Sequence, residues 1–286
     1  MAAPTATIII PAYNEAQGIR QVLEKLIVAV RDCDIHILVI DDGSTDDTPQ
    51  QVSQFAVEMI RQSSNRGYGA AIKTGLQATD SEFVVIMDAD GQHNPQDVLR
   101  LLARTPEYDL VVGARTQVFH SPIWRMPGKW LLNLFANYIA KTKIPDSNSG
   151  LRAFRTEIVK KYLHLFPDGF SFSATSTLVL IRRGYRVAFE PVSVTSRLGN
   201  SSMSIRSGLD LLLTVLRLSI LIDPLRVFLP SSLIMAGTGV LWGTRYVLIG
   251  SGVSVGSLMF ILMGVLMFGL GLLADQISEM RQERFE

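Results

Sequence analysis

Residues 83–93 read Phe83-Val84-Val85-Ile86-Met87-Asp88-Ala89-Asp90-Gly91-Gln92-His93, an unbroken apolar run that ends on two carboxylates one residue apart. Such a run predicts a strand buried on both faces, the pattern of a parallel sheet. Working outward, short apolar runs recur at residues 7–10, 35–40 and 110–112. Between them, residues 16–31, 48–55, 69–78 and 95–104 carry helical spacing or helix-start signals. This alternation predicts an α/β fold with a mostly parallel sheet and helices on both faces.

Ligands of such sheets bind beyond the carboxyl ends of the strands. Polar motifs fall there three times: Pro11-Ala12-Tyr13-Asn14-Glu15, Asp41-Asp42-Gly43-Ser44-Thr45-Asp46, and the run from Asp88 to His93. Each alone would read as a turn with a capping carboxylate. At successive strand ends they point to one crevice. Carboxylates crowded beside a phosphate repel it unless a divalent cation lies between. Mg2+ and Mn2+ favour carboxylate oxygens together with substrate phosphates, which makes Asp88 and Asp90 a metal–diphosphate clamp.

With 27 basic and 26 acidic residues, the net charge of +1 lacks the basic excess of a nucleic-acid-binding chain. A single cysteine, Cys33, excludes an intrachain disulfide framework and fits a reducing compartment. No basic residue precedes the short apolar run at residues 8–10, so a secretory leader is not expected and the soluble part should stay cytoplasmic.

Charge is unevenly spread. Residues 227–244 and 253–274 are uncharged, and Gly250-Ser251-Gly252 lies between the two stretches. Both are long enough to cross a bilayer, predicting a transmembrane hairpin over 225–286 with spans near 227–247 and 253–274. Gly239 and Gly243 are the small residues that let helices approach closely, within one hairpin or between chains of an oligomer. Arg206, Arg217, Arg226, Arg281 and Arg284 flank the pair, with only Arg245 between, which places both chain ends on the cytoplasmic side. Upstream, Arg206, Asp210, Thr214 and Arg217 form one polar stripe on a leucine- and isoleucine-rich segment. That predicts an amphipathic helix over 206–224, either in the membrane interface or packed on the soluble domain. The remainder, residues 1–205, is the expected cytoplasmic domain.

The ordered set of motifs resembles family-two glycosyltransferases of the GT-A (Rossmann-like) fold, and among them the dolichol- and polyprenyl-phosphate sugar transferases. It runs from Ile10-Pro11-Ala12-Tyr13-Asn14-Glu15 and the Asp41–Asp46 motif through Asn65-Arg66-Gly67-Tyr68-Gly69. Asp88-Ala89-Asp90-Gly91-Gln92, Gly113-Ala114-Arg115 and Asp146-Ser147-Asn148-Ser149-Gly150-Leu151-Arg152 complete it. The resemblance covers residues 5–205, and the hairpin extends it to nearly the whole chain. It implies that Pro11, Tyr13, Glu15, Asp41 and Asp42 hold the nucleoside, with Asp88 beside them. It implies that Asp88, Asp90 and Gln92 organise Mg2+ or Mn2+. Arg115, Arg125, Lys129 and Arg197 are the basic groups it implies for the acceptor phosphate; without it, Arg125 and Lys129 read equally as solvated helix charges. Two positions depart from the family. Ser202 stands where a lysine is common, with Arg206 a substitute, and Ser173, Thr175 and Ser176 stand where many relatives carry a glutamate.

The implied reaction is an inverting transfer of a sugar from a UDP- or GDP-sugar to polyprenyl phosphate. A phosphate monoester, with its second pKa at about 6, needs positioning by arginine more than a base. A hydroxyl acceptor would need a general base, for which Asp146 is the candidate; its other reading is a turn aspartate. The competing readings are weaker. A processive synthase would carry a Gln-x-x-Arg-Trp signature, and a nucleotidyltransferase would carry an N-terminal glycine-rich loop; neither is present. A non-catalytic membrane scaffold would not need the Asp88/Asp90 pair.

Overall fold

The computed structural model describes residues 5–116, 144–146, 149–195, 223–250 and 252–283. Arg125, Lys129 and Arg197, and all but the last two residues of the expected helix at 206–224, lie outside the described residues. The chain divides into two compact units, Met1–Leu211 and Leu212–Glu286.

In the first unit the strands are β1 (Ala6–Ala12), β2 (Ile35–Asp41), β3 (Glu58–Arg61), β4 (Phe83–Ile86), β5 (Leu110–Arg115), β6 (Arg152–Arg155) and β7 (Val187–Val192). The helices are α1 (Ala16–Ala29), α2 (Thr48–Val52), α3 (Tyr68–Ala78), α4 (Pro95–Leu102), α5 (Thr156–Lys161) and α6 (Phe172–Arg182). Among the described residues the strands form one seven-stranded sheet in the order β3-β2-β1-β4-β6-β5-β7. Every pairing is parallel except those of β6, which runs antiparallel to both β4 and β5.

The apolar runs are continuous because both sheet faces are covered. Ile8, Ile10, Val39, Val85 and Val111 share one core with Ile19, Leu23 and Leu26 of α1 and Val98 and Leu101 of α4. Ile9, between them, points the other way, where α3 crosses so closely that a Cβ on Gly75 would lie 2.6 Å from Ile9 Cγ2. The one polar side chain inside β1, Thr7, is satisfied by hydroxyls: its Oγ1 lies 2.7 Å from Thr79 Oγ1 and 2.6 Å from Ser81 Oγ. β1 and β2 run one or two residues further than the apolar runs suggest, so Pro11, Ala12 and Asp41 belong to the strands themselves. Three strands carried little sequence signal. β3 is a short strand at the sheet edge, β6 has arginine at both ends, and β7 contains Pro191.

The second unit is a helical hairpin, α7 (Leu225–Leu248) and α8 (Val255–Glu283). At ~1.5 Å per residue either helix outreaches a hydrocarbon core of ~30 Å. Their spanning windows have mean hydropathy 1.4 and 2.4, and only 11% and 17% of them are buried, unlike the core helices of a soluble domain. Gly250 and Gly252, at φ +76° and +77°, form the turn. Close packing rests on small residues: a Cβ on Gly239 would lie 2.8 Å from Ser257 O, and one on Gly264 2.8 Å from Ser232 O. Trp242 and Phe260 meet edge to face at 6.0 Å nearer the turn.

Gly264→Leu should push the two helices apart and destabilise the hairpin by about 1–3 kcal/mol. A Cβ on Gly269 would meet nothing within 4 Å beyond its own helix among the described residues, so this position should accept leucine without loss. Thermal unfolding of the two detergent-solubilised variants, followed by tryptophan fluorescence, distinguishes them.

Candidate active site

The sheet places β1 between β2 and β4, so successive connections leave β1 in opposite directions and open a crevice at its carboxyl end. Three loops meet there. The loop after β1 turns at Asn14, whose φ of +52° is the left-handed conformation asparagine tolerates. Asn14 Oδ1 accepts from Thr45 N at 2.8 Å, and Asn14 N donates to Ser44 Oγ at 3.0 Å. Glu15 N donates to Thr48 Oγ1 at 2.9 Å. The first two motifs are thus one clasped unit, with Pro11 inside β1 and the Tyr13 ring exposed at the rim.

Asp41 and Asp42 are both buried but differently employed. Asp42 accepts from Arg66 N at 2.8 Å and Gly67 N at 2.9 Å, and so fixes the approach to α3. Asp41 Oδ1 accepts from Ser44 N at 3.0 Å. Its Oδ2 has Arg61 Nε at 3.0 Å but lacks the alignment of a hydrogen bond. Beside it lies an open cleft of about 490 Å3 lined by Gly43, Ser44, Thr45, Arg61, Gln62 and Ser63. Gln62 Oε1 is likewise buried without a hydrogen bond. Two acceptors short of donors beside a cleft suit a ligand that brings N–H groups.

Asp88 and Asp90 follow β4. Asp88 Oδ1 accepts from the Tyr68 hydroxyl at 2.9 Å. On its other side Gly150 comes so near that a Cβ there would overlap the carboxylate. Asp90 Oδ1 accepts from Gln92 N at 3.1 Å. Among the described residues no group of three or more His, Cys, Asp and Glu gathers as a metal cage. Two half-buried carboxylates instead fit a cation whose remaining ligands come from a diphosphate. His93 Nδ1, just beyond, is buried without a hydrogen bond, and Thr195 N ties this loop down through Gln92 O at 3.0 Å.

Arg115, at the end of β5, pairs two-pronged with Asp146: Nε to Oδ2 at 2.6 Å and Nη2 to Oδ1 at 3.0 Å. That hydrogen bond raises the Arg115 pKa, with Asp88 and Asp90 adding to the effect from nearby. Its Nη1 edge makes no hydrogen bond among the described residues and remains open to an anion.

Arg152 and Tyr68 stood in the motifs without a role. Arg152 is wholly buried: Nη2 donates to Ser149 O at 2.6 Å, and Nη1 to Ser173 O at 2.7 Å and Ser176 Oγ at 3.0 Å. Desolvation pushes its pKa down to about 10, so it keeps its charge at neutral pH. The signal that could have found it is an arginine following Ser149-Gly150 and starting a strand. Ser173 and Ser176 are thereby tied to Arg152, and Thr175 is buried with its hydroxyl unbonded. Burial first, and then Asp88, raise the Tyr68 pKa well above its usual value, so the phenol stays a donor.

Known proteins share the family and the fold of this chain. Residues 7–163 match the glycosyl transferase family 2 model, and residues 223–280 match the GtrB C-terminal hairpin. The chain is 32% identical to a polyprenol monophosphomannose synthase of Mycolicibacterium smegmatis, over 69% of this chain and 80% of that one. It is 27% identical to an undecaprenyl-phosphate 4-deoxy-4-formamido-L-arabinose transferase of Pseudomonas fluorescens, over 96% of this chain and 85% of the other. In fold it is similar to glucosyl-3-phosphoglycerate synthase of Mycobacterium tuberculosis, solved with Mn2+, UDP-glucose and phosphoglyceric acid. That likeness has a TM-score of 0.63 at 20% identity, covering 75% of this chain and 79% of that one.

Arg152→Met would leave the Ser149 and Ser173 carbonyls without their buried donor. We expect a loss of about 3 kcal/mol, read from thermal unfolding by near-ultraviolet circular dichroism.

Proposed function

This chain belongs to glycosyl transferase family 2, and from that premise we propose that it transfers a sugar from a nucleotide donor to polyprenyl phosphate, with inversion, at the cytoplasmic face of a membrane. The observation that carries the reading is the Asp88/Asp90 pair beside Arg115 in the crevice of a chain that also carries a membrane hairpin. The names of the relatives support a polyprenyl-phosphate acceptor.

In this reading the cleft beside Asp41 takes the nucleoside, whose base N–H groups satisfy Asp41 Oδ2 and Gln62 Oε1, with Pro11, Tyr13 and Glu15 forming its wall. Asp42 acts indirectly by holding the Arg66–Gly67 backbone. Asp88 and Asp90, with Gln92 bracing the loop, would hold Mg2+ or Mn2+, which neutralises charge growing on the departing diphosphate. Asp146 holds the Arg115 guanidinium so that its open Nη1 edge meets the acceptor phosphate, assisted by Arg125, Lys129 and Arg197. One phosphate oxygen attacks the anomeric carbon as the nucleoside diphosphate leaves from the opposite face. Because the nucleophile is already an anion, no proton has to be removed, and orientation does most of the work. With both oxygens on Arg115, Asp146 serves better as that orienting group than as a base.

Nucleotide release by the solubilised protein, scanned over UDP- and GDP-sugars, tests this. Release should require both Mn2+ and polyprenyl phosphate, and Asp90→Asn should cut it by about 100-fold or more. Release that ignores the lipid would point to another acceptor. Topology has its own test, because Cys33 is exposed and is the only cysteine. In intact cells a membrane-impermeant maleimide should label Cys33 only after permeabilisation; labelling of intact cells would reverse the orientation.

A further inference from the structure

The described contacts of Asp88 are asymmetric. Oδ1 is bonded to the Tyr68 hydroxyl at 2.9 Å, while Oδ2 has no hydrogen bond or ion pair among the described residues. An aspartate carboxylate turns through a broad, roughly two-fold torsion, so either oxygen can point into a site unless something fixes it. Here two things do. The phenol takes Oδ1, and Gly150 lies against Oδ2, where any side chain at position 150 would cover that oxygen.

The phenol is itself held from several directions. Asp42 captures the backbone N–H groups of Arg66 and Gly67 immediately before it, and Gly67 takes a φ of +106° that launches α3 at Tyr68. The Tyr68 ring stacks on Phe170 with centroids 5.6 Å apart and planes 14° from parallel. The segment carrying Phe170 is clamped to α3, with Ala70 N donating to Asp168 O at 3.0 Å and Lys73 Nζ 2.6 Å from Asp168 Oδ1. The character of the donor matters as well. A lysine or arginine at this place would cancel the carboxylate charge, whereas a phenol orients it and leaves it anionic.

We propose that Tyr68 is a positioning residue for the divalent cation: its hydroxyl pins Asp88 Oδ1, so that Oδ2 is the oxygen presented to the metal and the donor diphosphate, and the Phe170 ring keeps the phenol in place. This rests on the reading of Asp88 as a metal ligand. Partners that orient a ligating carboxylate typically affect metal affinity by about 10–100-fold when removed.

The test is Mn2+ binding to the full-length detergent-solubilised protein with UDP or GDP present, followed by the electron paramagnetic resonance signal of free Mn2+. Tyr68→Phe keeps the ring and its stack but removes the hydroxyl. It should raise the Mn2+ dissociation constant about tenfold with an unchanged Tm. Its turnover should recover at saturating Mn2+, which a merely structural defect would not do. Phe170→Leu, which leaves the phenol but removes its support, should weaken Mn2+ in the same direction. Asp88→Asn should abolish binding. If Asp88→Asn abolishes binding while Tyr68→Phe binds Mn2+ like the unaltered protein, the positioning role is overturned and the metal reading stands. If Asp88→Asn binds Mn2+ normally, the metal reading fails and takes this one with it.

Discussion

A sheet buried on both faces can present charge only at the ends of its strands. β1, β2 and β4 have helices on either side, and their interior residues are apolar or, like Thr7, paired with other hydroxyls. Every carboxylate of the site therefore gathers along one edge, at Asp41, Asp42, Asp88 and Asp90, with Asp146 joining from outside the sheet. Concentrating that much negative charge is costly unless each group is balanced. The way each is balanced sorts the groups by role.

Asp42 is balanced by backbone N–H groups and becomes a structural clasp. Asp146 is balanced by Arg115, and each orients the other. Asp41 receives one backbone donor and keeps one oxygen without a hydrogen bond beside the cleft. Among the described residues Asp88 accepts its hydrogen bond from a neutral phenol. That bond leaves the carboxylate anionic, as a cation-binding role requires. Arg152, buried beneath the same region, ties the segment carrying Ser149 and Gly150 to the start of α6. It thereby supports the Gly150 backbone where it meets Asp88.

The hairpin follows different rules. Its outward side chains are apolar and exposed, as lipid allows, so the two helices cannot rely on hydrophobic burial to associate. Contact comes from Gly239, Gly264 and Gly271, where backbone approaches a neighbouring helix directly.

Much of this was legible locally. The strands of the core, the helices between them and the two spans follow from apolar periodicity, and the acidic motifs announce the site because each directly follows an apolar run. The edge strand β3, the antiparallel β6 and the proline-containing β7 escaped, because their residues are chosen by neighbours brought in from elsewhere in the chain rather than by a repeating pattern. The same holds for the side-chain partnerships. Tyr68 and Asp88, Arg115 and Asp146, Arg152 and Ser173 are far apart in sequence. The sequence by itself determined which chemical groups stand at the strand ends and that the chain carries membrane-spanning helices, since period and turn chemistry are local properties. Only the tertiary structure decided which group neutralises which, because hydrogen bonds act over about 3 Å and that proximity is set by strand order, not by spacing along the chain.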